Sequence, residues 1–403
     1  GIRLDAVQAF EDLDISGMSS EELVNINAIP DDRLVRKRNV RAIVLTHGHL
    51  DHIGAVGKLA HAYDAPIYGT PFTIELVKKL VWEERTVKPK QEFVKVSPGD
   101  RIEIGDLEIS FYHATHSIPQ TVFVMLRMGE RAVLCASDFK LDGAPLLGPP
   151  ADLDELHRVG REGVSIALVG SVRVDEPGPT GSEAKARSML EETMEKANSG
   201  GKALLATTFS SHIARIKSMV DISFQLGRVP VLVGRSLRSY VSTALKLGLV
   251  SLPEEVSMYG SPESMRKFLK KANGSKGDYV VICTGHQGEP GSILSRIADR
   301  QLPFRISSGD RVIFSVSVIP NPINQSNREL LETKLLAQGA RVYRDVHVSG
   351  HAARADTAEF LRLVSPEHLV PCHGTPEKLK AMAALGRELG YGRPNIHLLE
   401  NGS

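Results

Sequence analysis

The chain has 403 residues, of which 42% are hydrophobic and 24% charged, and its formal net charge is +1 at neutral pH. This is the composition of an ordinary globular protein that is long enough for two domains, and at this net charge a nucleic-acid partner would need a local basic groove. The sequence has no apolar run of membrane-spanning length, no visible secretory signal and only three cysteines, so we expect a cytoplasmic protein without a disulfide framework.

Strand and helix patterns alternate along the chain. In the first part, apolar runs bounded by turn residues predict strands at 42–45, 66–69, 92–96, 101–104, 107–112, 121–127, 132–136 and 166–169, with helices at about 53–64 and 71–86. A turn rich in proline and glycine at 177–183 leads into a capped helix that ends near 197.

A second series of elements follows that helix. Strands are predicted at 203–207, 229–233, 279–283, 311–316 and 340–343, with helices from 211, from 238 and over about 325–337. Because helices separate the strands, we expect a parallel sheet with crossover connections. The fold class is therefore α/β, with one catalytic domain interrupted by an inserted α/β domain.

Four candidate metal ligands lie in six residues, directly after the apolar run 42–45. They are His47, His49, Asp51 and His52. The run predicts a buried strand, so the cluster falls on the turn at its end, where His47 and His49 can face one point and Asp51 and His52 another. Imidazole and carboxylate together suit zinc or manganese, and a doubled set suits two ions bridged by hydroxide. A solvated histidine-rich turn is the competing interpretation, and we favour a hydrolase.

Three single candidates follow later strands. They are His116, Asp138 and His373, each placed just beyond a predicted strand. Alone, each is more simply read as a loop histidine or a capping aspartate, but together with the first cluster they make a set of seven. We assign His47, His49 and His116 to one ion and Asp51, His52 and His373 to the other, with Asp138 as the bridge. Two such ions would stabilise the charge that develops on a phosphoryl group.

These seven residues resemble the metal motifs of the metallo-β-lactamase fold. The long interval between Asp138 and His373 resembles the β-CASP group of nucleases, which insert a domain there. The segments 177–183, 284–290 and 347–352 resemble the ribonuclease J family, in particular its short archaeal form. The resemblance covers essentially the whole chain.

The resemblance implies a fold, a domain order and an activity. The fold is the αββα sandwich with an inserted β-CASP domain: residues 1–184 form the first part of the sandwich, without its N-terminal strand, residues 185–345 the insert, and residues 346–403 the return segment. The activity is a metal-dependent 5′→3′ exoribonuclease acting on single-stranded 5′-monophosphate RNA, together with endonucleolytic cleavage, in RNA decay and processing. Zinc is the preferred ion and manganese the alternative, and a homodimer is left open.

The resemblance also implies residue roles. His351 would help to protonate the leaving oxygen, and it joins Asp51 and Asp138 as the predicted catalytic residues. The turn at 349–352 would offer free backbone N–H groups to a 5′-phosphate. The predicted RNA and phosphate contacts are Ser349, Gly350, His351, Ala352, Ser210 and Ser211.

Several basic residues remain ambiguous in the sequence. For Arg215, Arg235, Arg238 and Arg296, contact with the RNA backbone and a solvated surface charge are equally compatible with the pattern.

Two departures from the family pattern affect the predicted activity. The family has an acidic motif just before the segment matching the first residues of this chain, and it has an acid at the end of the strand 166–169, where this chain has Gly170. Both acids would support the site. We therefore keep an alternative, a nonhydrolytic or weakly active RNA-binding relative, and expect metal binding to survive better than turnover. A cleavage-factor-type endonuclease and a small-molecule hydrolase fit the pattern less well.

Overall fold

The computed structural model of this protein describes residues 2–3, 17–36, 39–85 and 90–400. Contacts within the chain define two compact units. Of the described residues, one unit contains those up to Ser182 and from Ser349 onward, and the other contains Glu183–Val348. The domain limits 1–184, 185–345 and 346–403 remain a proposal from the sequence.

In its described residues, the first unit contains helices and strands, with an uninterrupted run of strands between Phe93 and Ala136. Its strands are β1 (Ile43–Val44), β2 (Ile67–Gly69), β3 (Phe93–Lys95), β4 (Arg101–Ile104), β5 (Leu107–Ala114), β6 (Thr121–Met128), β7 (Arg131–Ala136), β8 (Ile166–Gly170) and β15 (His368–Cys372). Its helices are α1 (Ser20–Asn25), α2 (Arg33–Arg36), α3 (Leu50–Ile53), α4 (Val56–Leu59), α5 (Pro71–Glu83), α6 (Leu153–Arg161), α13 (Arg354–Val364) and α14 (Pro376–Glu388).

Two sheets form the centre of this unit. The smaller has the order β1-β2-β3, and the larger has the order β15-β8-β7-β6-β5-β4. Successive residues of β5 point to opposite faces: Ile109 and Phe111 belong to a core that also includes Val44 and Tyr68 of the small sheet. Tyr112 and Ala114 belong to the core on the other face, which contains Phe360 of α13 and Met382 of α14. The layers are therefore helix, sheet, sheet and helix.

Strands of the large sheet deliver the later candidate ligands. His116 lies two residues after the end of β5, Asp138 two residues after the end of β7, and His373 directly after β15. Because β7, β8 and β15 run parallel, the carboxyl ends of these three strands lie at one edge of the sheet. Asp138 and His373 are thereby brought to the same edge.

The second unit contains the remaining strands and helices. Its strands are β9 (Leu204–Thr207), β10 (Val229–Val233), β11 (Ser257–Tyr259), β12 (Tyr279–Cys283), β13 (Arg311–Phe314) and β14 (Arg341–Tyr343). Its helices are α7 (Glu183–Ala197), α8 (Ile213–Gln225), α9 (Arg235–Lys246), α10 (Pro262–Gly274), α11 (Ile293–Ala298) and α12 (Pro322–Ala337).

These strands form one parallel sheet with the order β11-β10-β12-β9-β13-β14. All four residues of β9 and of β13 are buried, as expected for central strands of a parallel sheet with both faces covered. Side chains at the helix starts accept hydrogen bonds from backbone N–H groups, as Ser261 does for α10 and Asn321 for α12. The predicted parallel α/β architecture is confirmed.

Several predicted element limits were wrong. A helix starts within the His47–His52 cluster, at Leu50, and the predicted helix 53–64 is instead α3, α4 and a short 3₁₀ turn. Helix α9 begins at Arg235 rather than 238 because Gly234, with φ 149°, makes the turn that starts it. The N-cap of α8 is His212, whose side chain accepts a hydrogen bond from Arg215 N–H, so the helix does not begin at Ser211.

Arg215 is completely buried, so neither interpretation offered for it in the sequence is correct. Its guanidinium forms two hydrogen bonds of 2.7 and 2.9 Å with the carboxylate of Glu183. It also donates to Ser315 Oγ at 2.8 Å and to the Val348 carbonyl at 3.4 Å. The side chain thus links both ends of the inserted segment, because Glu183 begins it and Val348 ends it.

Within the described part of the chain, no helix combines the length and the apolar character needed to cross a bilayer.

Replacing Arg215 with methionine should lower the free energy of unfolding by about 3–5 kcal/mol, because it removes the cation that forms two hydrogen bonds with the buried carboxylate of Glu183. Adding Glu183→Leu should recover part of the loss, since the buried carboxylate is then removed. Urea denaturation measures both. The control is Arg235→Met at an exposed position, which should change stability by less than about 0.5 kcal/mol. Equal losses at 215 and 235 would contradict the prediction.

Candidate metal centre

The first ligand cluster occupies the connection between β1 and α3. His47 is fully buried, His49 is the N-cap of α3, and Asp51 and His52 lie within that helix. Gly48 separates the first two histidines, and a Cβ atom there would lie 2.7 Å from Leu76 Cδ1. A glycine is therefore favoured at this point, where the chain passes close to α5.

The structure brings the seven predicted ligands together in two groups that share Asp138. One group contains His47, His49, His116 and Asp138, and the other contains Asp51, His52, Asp138 and His373. Within each group, the candidate ligand atoms lie within 4.8 Å of one another. The grouping is the one that the sequence predicted, with the carboxylate of Asp138 common to both.

The carboxylate of Asp138 faces several imidazoles. Its Oδ2 atom lies 3.7 Å from His47 Nε2, 3.4 Å from His52 Nε2 and 3.6 Å from His116 Nε2. Its Oδ1 atom lies 3.9 Å from His373 Nε2. These separations are longer than hydrogen bonds, and they leave room for cations between the ligand atoms.

Buried ligand atoms that lack a hydrogen-bond partner show whether metal ions suit these residues. His47 Nε2, His52 Nε2 and Asp138 Oδ1 are buried and have no hydrogen-bond partner. Buried polar atoms without a partner cost free energy and are rare in folded proteins. A pair of divalent ions would satisfy all three atoms, and the mixture of imidazole and carboxylate is suited to zinc-type ions. The residues present therefore fit a dinuclear metal centre.

Two outer contacts orient the ligand rings. His116 Nδ1 lies 2.6 Å from the carbonyl oxygen of Gly350, which can only accept, so Nδ1 carries the proton. The lone pair of Nε2, which lies 3.1 Å from His49 Nδ1, is then the one that can bind a metal. His47 Nδ1 lies 3.0 Å from Thr46 Oγ1. The sequence analysis missed Thr46, and its position next to His47 was the only available signal.

The imidazoles of the first group are neutral in the metal-free protein. Burial lowers the pKa of His49 to about 4 and that of His116 to about 3. Burial, with repulsion from His52, also holds the pKa of His47 well below its ordinary value. These rings can therefore bind a cation without first losing a proton.

His52 has the opposite character. Burial acts to lower its pKa, but the carboxylates of Asp138 and Asp51 raise the pKa to about 9. Burial would raise the pKa of Asp138, yet the interaction with His52 and the neighbouring imidazoles holds it well below its ordinary value. A metal ion at the second group must therefore displace the proton of His52.

His373 ends the ligand set in a strained backbone conformation. Its φ angle is 48°, in the left-handed region that residues other than glycine rarely adopt. Such strain is found where surrounding structure holds a functional side chain in place. Here it turns the imidazole toward Asp51, with His373 Nε2 3.8 Å from Asp51 Oδ2.

His351 lies beside the two ligand groups and belongs to neither. Its Nδ1 atom is 3.7 Å from Asp138 Oδ2, and its side chain is 27% exposed. Burial lowers the pKa of His351 to about 3, so the ring is neutral in the free protein. The ring thus faces the same carboxylate as the ligand imidazoles.

The other predicted phosphate contacts have partners in the structure. His351 N–H donates to Ser349 Oγ at 3.2 Å, and Ala352 N–H donates to the Phe139 carbonyl at 2.6 Å. The expectation of free N–H groups at 351 and 352 was therefore wrong, because both groups already donate hydrogen bonds within the protein. In the second unit, Ser210 Oγ lies 2.9 Å from Ser236 Oγ, and Ser211 is buried.

Gly170 leaves no room for a carboxylate in this conformation. A Cβ atom at this position would lie 1.7 Å from the carbonyl oxygen of Ser137. The main chain of His351 is instead held by Thr180, and Thr180 by Asp356. The sequence analysis missed both residues: Thr180 was only part of the turn at 177–183, and no element was predicted at Asp356.

Family models match three consecutive segments of the chain. The model of the metallo-beta-lactamase superfamily matches residues 16–192, and that of the ribonuclease J beta-CASP domain matches residues 201–331. The model of the Zn-dependent metallo-hydrolase RNA specificity domain matches residues 339–398.

Curated relatives match over nearly the whole chain. Ribonuclease J of Methanocaldococcus jannaschii is 41% identical over 100% of this chain and 91% of its own length. Ribonuclease J of Pyrococcus abyssi is 42% identical over 97% and 87%, and ribonuclease J2 of Bacillus subtilis is 31% identical over 94% and 67%.

A solved structure shares the fold. The crystal structure of a protein of unknown function from Enterococcus faecalis V583 superposes with a TM-score of 0.67, covering 97% of this chain and 90% of that chain. Its sequence identity is 19%, so the likeness concerns the fold alone.

We expect two divalent ions per chain, with Asp138 needed for both. Asp138→Ala should lose both ions, because the carboxylate is common to the two groups, whereas His373→Ala should retain one. Metal analysis after equilibrium dialysis against zinc measures the stoichiometry. His61→Ala, at an exposed histidine, should still bind two. Loss of a single ion from Asp138→Ala would contradict the shared-ligand arrangement.

The stability of the metal-free protein should be greatest near pH 6.5–7. Below this range His47, His49, His116 and His351, whose pKa values are lowered by burial, take up protons more readily in the unfolded chain, so stability falls as pH falls. Above it the raised pKa of His52, about 9, gives stability that is lost as pH rises from about 6.5 through 9.

Melting temperatures measured by calorimetry in chelator from pH 4.5 to 9.5 test both the acid and the alkaline loss of stability. His52→Gln should reduce the loss of stability at alkaline pH and leave the loss at acid pH in place. A melting temperature that rises steadily up to pH 9 would show that His52 does not hold its proton.

Proposed function

The chain belongs to the ribonuclease J family and is a metal-dependent ribonuclease, and we propose that it degrades single-stranded RNA from a 5′-monophosphate end. The observation that carries this proposal is the position of His351, next to two ligand groups that share Asp138. Endonucleolytic cleavage in the same site is part of the proposal.

The ions, when bound, supply Lewis acidity and a lowered pKa for water, which is the chemistry that phosphodiester hydrolysis requires. The protein's own task is to hold them and the substrate. One ion would be held by His47, His49 and His116. The other ion would be held by Asp51, His52 and His373, and Asp138 would bind both ions. Zinc is the ion we propose, since the ligands are mainly imidazole nitrogens, with manganese as the alternative.

His351 is the residue we propose for proton transfer to the leaving oxygen. In the free protein its pKa is about 3 because the ring is largely buried. A phosphate anion next to the ring favours the charged form and opposes the effect of burial. The proton would thus be taken up when RNA is bound and passed to the leaving oxygen, as general acid catalysis requires.

The remaining contacts in the proposal concern the RNA strand. Ser349, Gly350, His351 and Ala352 form the turn beside the metal ligands, and Ser210 and Ser211 precede α8. Because the N–H groups of 351 and 352 are already paired, the hydroxyl group of Ser349 would provide the phosphate contact in this turn.

The proposal also includes a cellular location and an oligomeric state. A cytoplasmic location agrees with the three free cysteines, and a homodimer can be tested by size-exclusion chromatography with light scattering. The nonhydrolytic alternative is not favoured, because all seven ligands come together and His351 lies beside them.

RNA with a 3′ label and either a 5′-monophosphate or a 5′-triphosphate tests the direction of cleavage. With the monophosphate we expect mononucleotides and progressive shortening from the 5′ end, about tenfold or more faster than with the triphosphate. His49→Ala should abolish cleavage, since it removes a metal ligand, while circular dichroism shows an unchanged fold. His61→Ala is the matched control and should cleave at the parental rate.

Equal rates on the two RNAs, with internal fragments only, would contradict the 5′ preference. Cleavage by His49→Ala at the parental rate would contradict the metal-site assignment. Binding of RNA without any cleavage, in zinc or manganese, would favour the nonhydrolytic alternative.

A further inference from the structure

The main chain around His351 is fixed at four consecutive residues. The contacts are His116 Nδ1 to the Gly350 carbonyl at 2.6 Å, Thr180 Oγ1 to the His351 carbonyl at 2.8 Å, Ala352 N–H to the Phe139 carbonyl at 2.6 Å, and Ala353 N–H to Thr180 Oγ1 at 2.8 Å. Two of the partners, His116 and Phe139, are a metal ligand and the neighbour of a metal ligand. This short segment therefore adjoins both the metal centre and Thr180.

A single hydroxyl group makes two of these four contacts. Thr180 Oγ1 donates to the carbonyl of His351 and accepts from the N–H of Ala353, so its donor and one acceptor position are both used. The two bonds fix the peptide groups on either side of Ala352. Rotation of the main chain near His351 would break both.

Thr180 is itself held by a buried carboxylate. Its backbone N–H donates to Asp356 Oδ2 at 2.9 Å. Asp356 is 5% exposed and lies in the first turn of α13, where the helix dipole favours a negative charge. The helix thus anchors Thr180, and Thr180 anchors the segment that carries His351.

No side chain at position 170 can help to orient the imidazole of His351. A Cβ atom there would lie 1.7 Å from the Ser137 carbonyl oxygen, so the strand end provides no group to orient the imidazole. The carboxylate near the ring is Asp138, at 3.7 Å, which also faces the metal ligands. Apart from Asp138 and the rings of His116 and His373, orientation of the imidazole therefore depends on its own main chain.

Relying on the proposed function only for the role of His351 at the scissile phosphodiester, we propose that Thr180 and Asp356 are positioning residues for that histidine. They do not touch the substrate. Their hydrogen bonds set the distance and angle at which the imidazole meets the leaving oxygen, and small errors in such geometry cost large factors in rate.

The test compares Thr180→Val, which loses the hydroxyl group at nearly constant volume, with Thr180→Ser, which keeps it. On RNA, Thr180→Val should lower kcat at least tenfold with KM changed less than about threefold and with two ions still bound. Thr180→Ser should retain kcat within about threefold of the parent.

A second substrate separates positioning from general damage. Bis(p-nitrophenyl) phosphate releases p-nitrophenolate, which departs without a proton donor. Because His351 is then dispensable, Thr180→Val should lose much less activity on this diester than on RNA. A purely structural role, or a disturbed metal centre, would lower both activities by the same factor.

Thr193→Val is the matched control. Thr193 is also part-buried and donates a 2.8 Å hydrogen bond to a backbone carbonyl, that of Met189, but it lies in α7 of the other unit. It should leave kcat on both substrates unchanged. Asp356→Ala should repeat the effect of Thr180→Val. Asp356→Asn, which keeps an acceptor oxygen, should have a milder effect. These two Asp356 variants replace Thr180→Val as the test if that variant does not fold.

Equal losses on the two substrates, equal activity of the valine and serine variants, or an equal loss in Thr193→Val would overturn the inference. RNA cleavage is scored as total phosphodiester bonds broken, whatever the direction. A parent that cleaves internally or from the 3′ end would therefore contradict the proposed direction, while the ratios among variants would still decide the role of Thr180.

Discussion

One buried carboxylate determines the arrangement of the site. Asp138 is 4% exposed and faces histidines that come from the β1–α3 connection, from the segment after β5 and from the end of β15. A buried charge needs a compensating partner, and here the imidazole of His52, whose pKa is raised to about 9, supplies only part of it. The two ligand groups, the raised pKa of His52 and the unpartnered atoms all follow from this single constraint.

The segment 349–353 contacts the metal ligands and also carries the residue proposed to act on the substrate. Its carbonyl at Gly350 orients the metal ligand His116, and its next residue is the proposed proton donor. One short stretch of main chain thus contacts a candidate metal ligand and carries the proposed proton donor. Within the inserted unit, Arg215 holds the carbonyl of Val348, so the chain is restrained up to the residue at which this segment begins.

Local patterns in the sequence predict much of this site. The four ligands at 47–52 stand together in the chain, and the position of His116, Asp138 and His373 after strands, with the family resemblance, completes the set. The features that the sequence does not reveal depend on distant partners. Arg215 is buried because Glu183, 32 residues away, and Ser315 satisfy it, and Thr180 gains its role only when α13 places Asp356 beside it. The limits of α3 and α9 differ from the predicted ones because capping and glycine geometry override the apolar period.

The close approach of Gly170 to Ser137 has a consequence for the engineering of this enzyme. Introducing an acid at that position cannot be a single step, because any side chain would first have to push β8 away from the turn after β7. Such a movement would also shift Ser171, whose N–H is bound to the carbonyl of Cys372, just before His373. Glycine at 170 and the present ligand geometry are thus mutually dependent, and sequence changes at either must be accompanied by changes at the other.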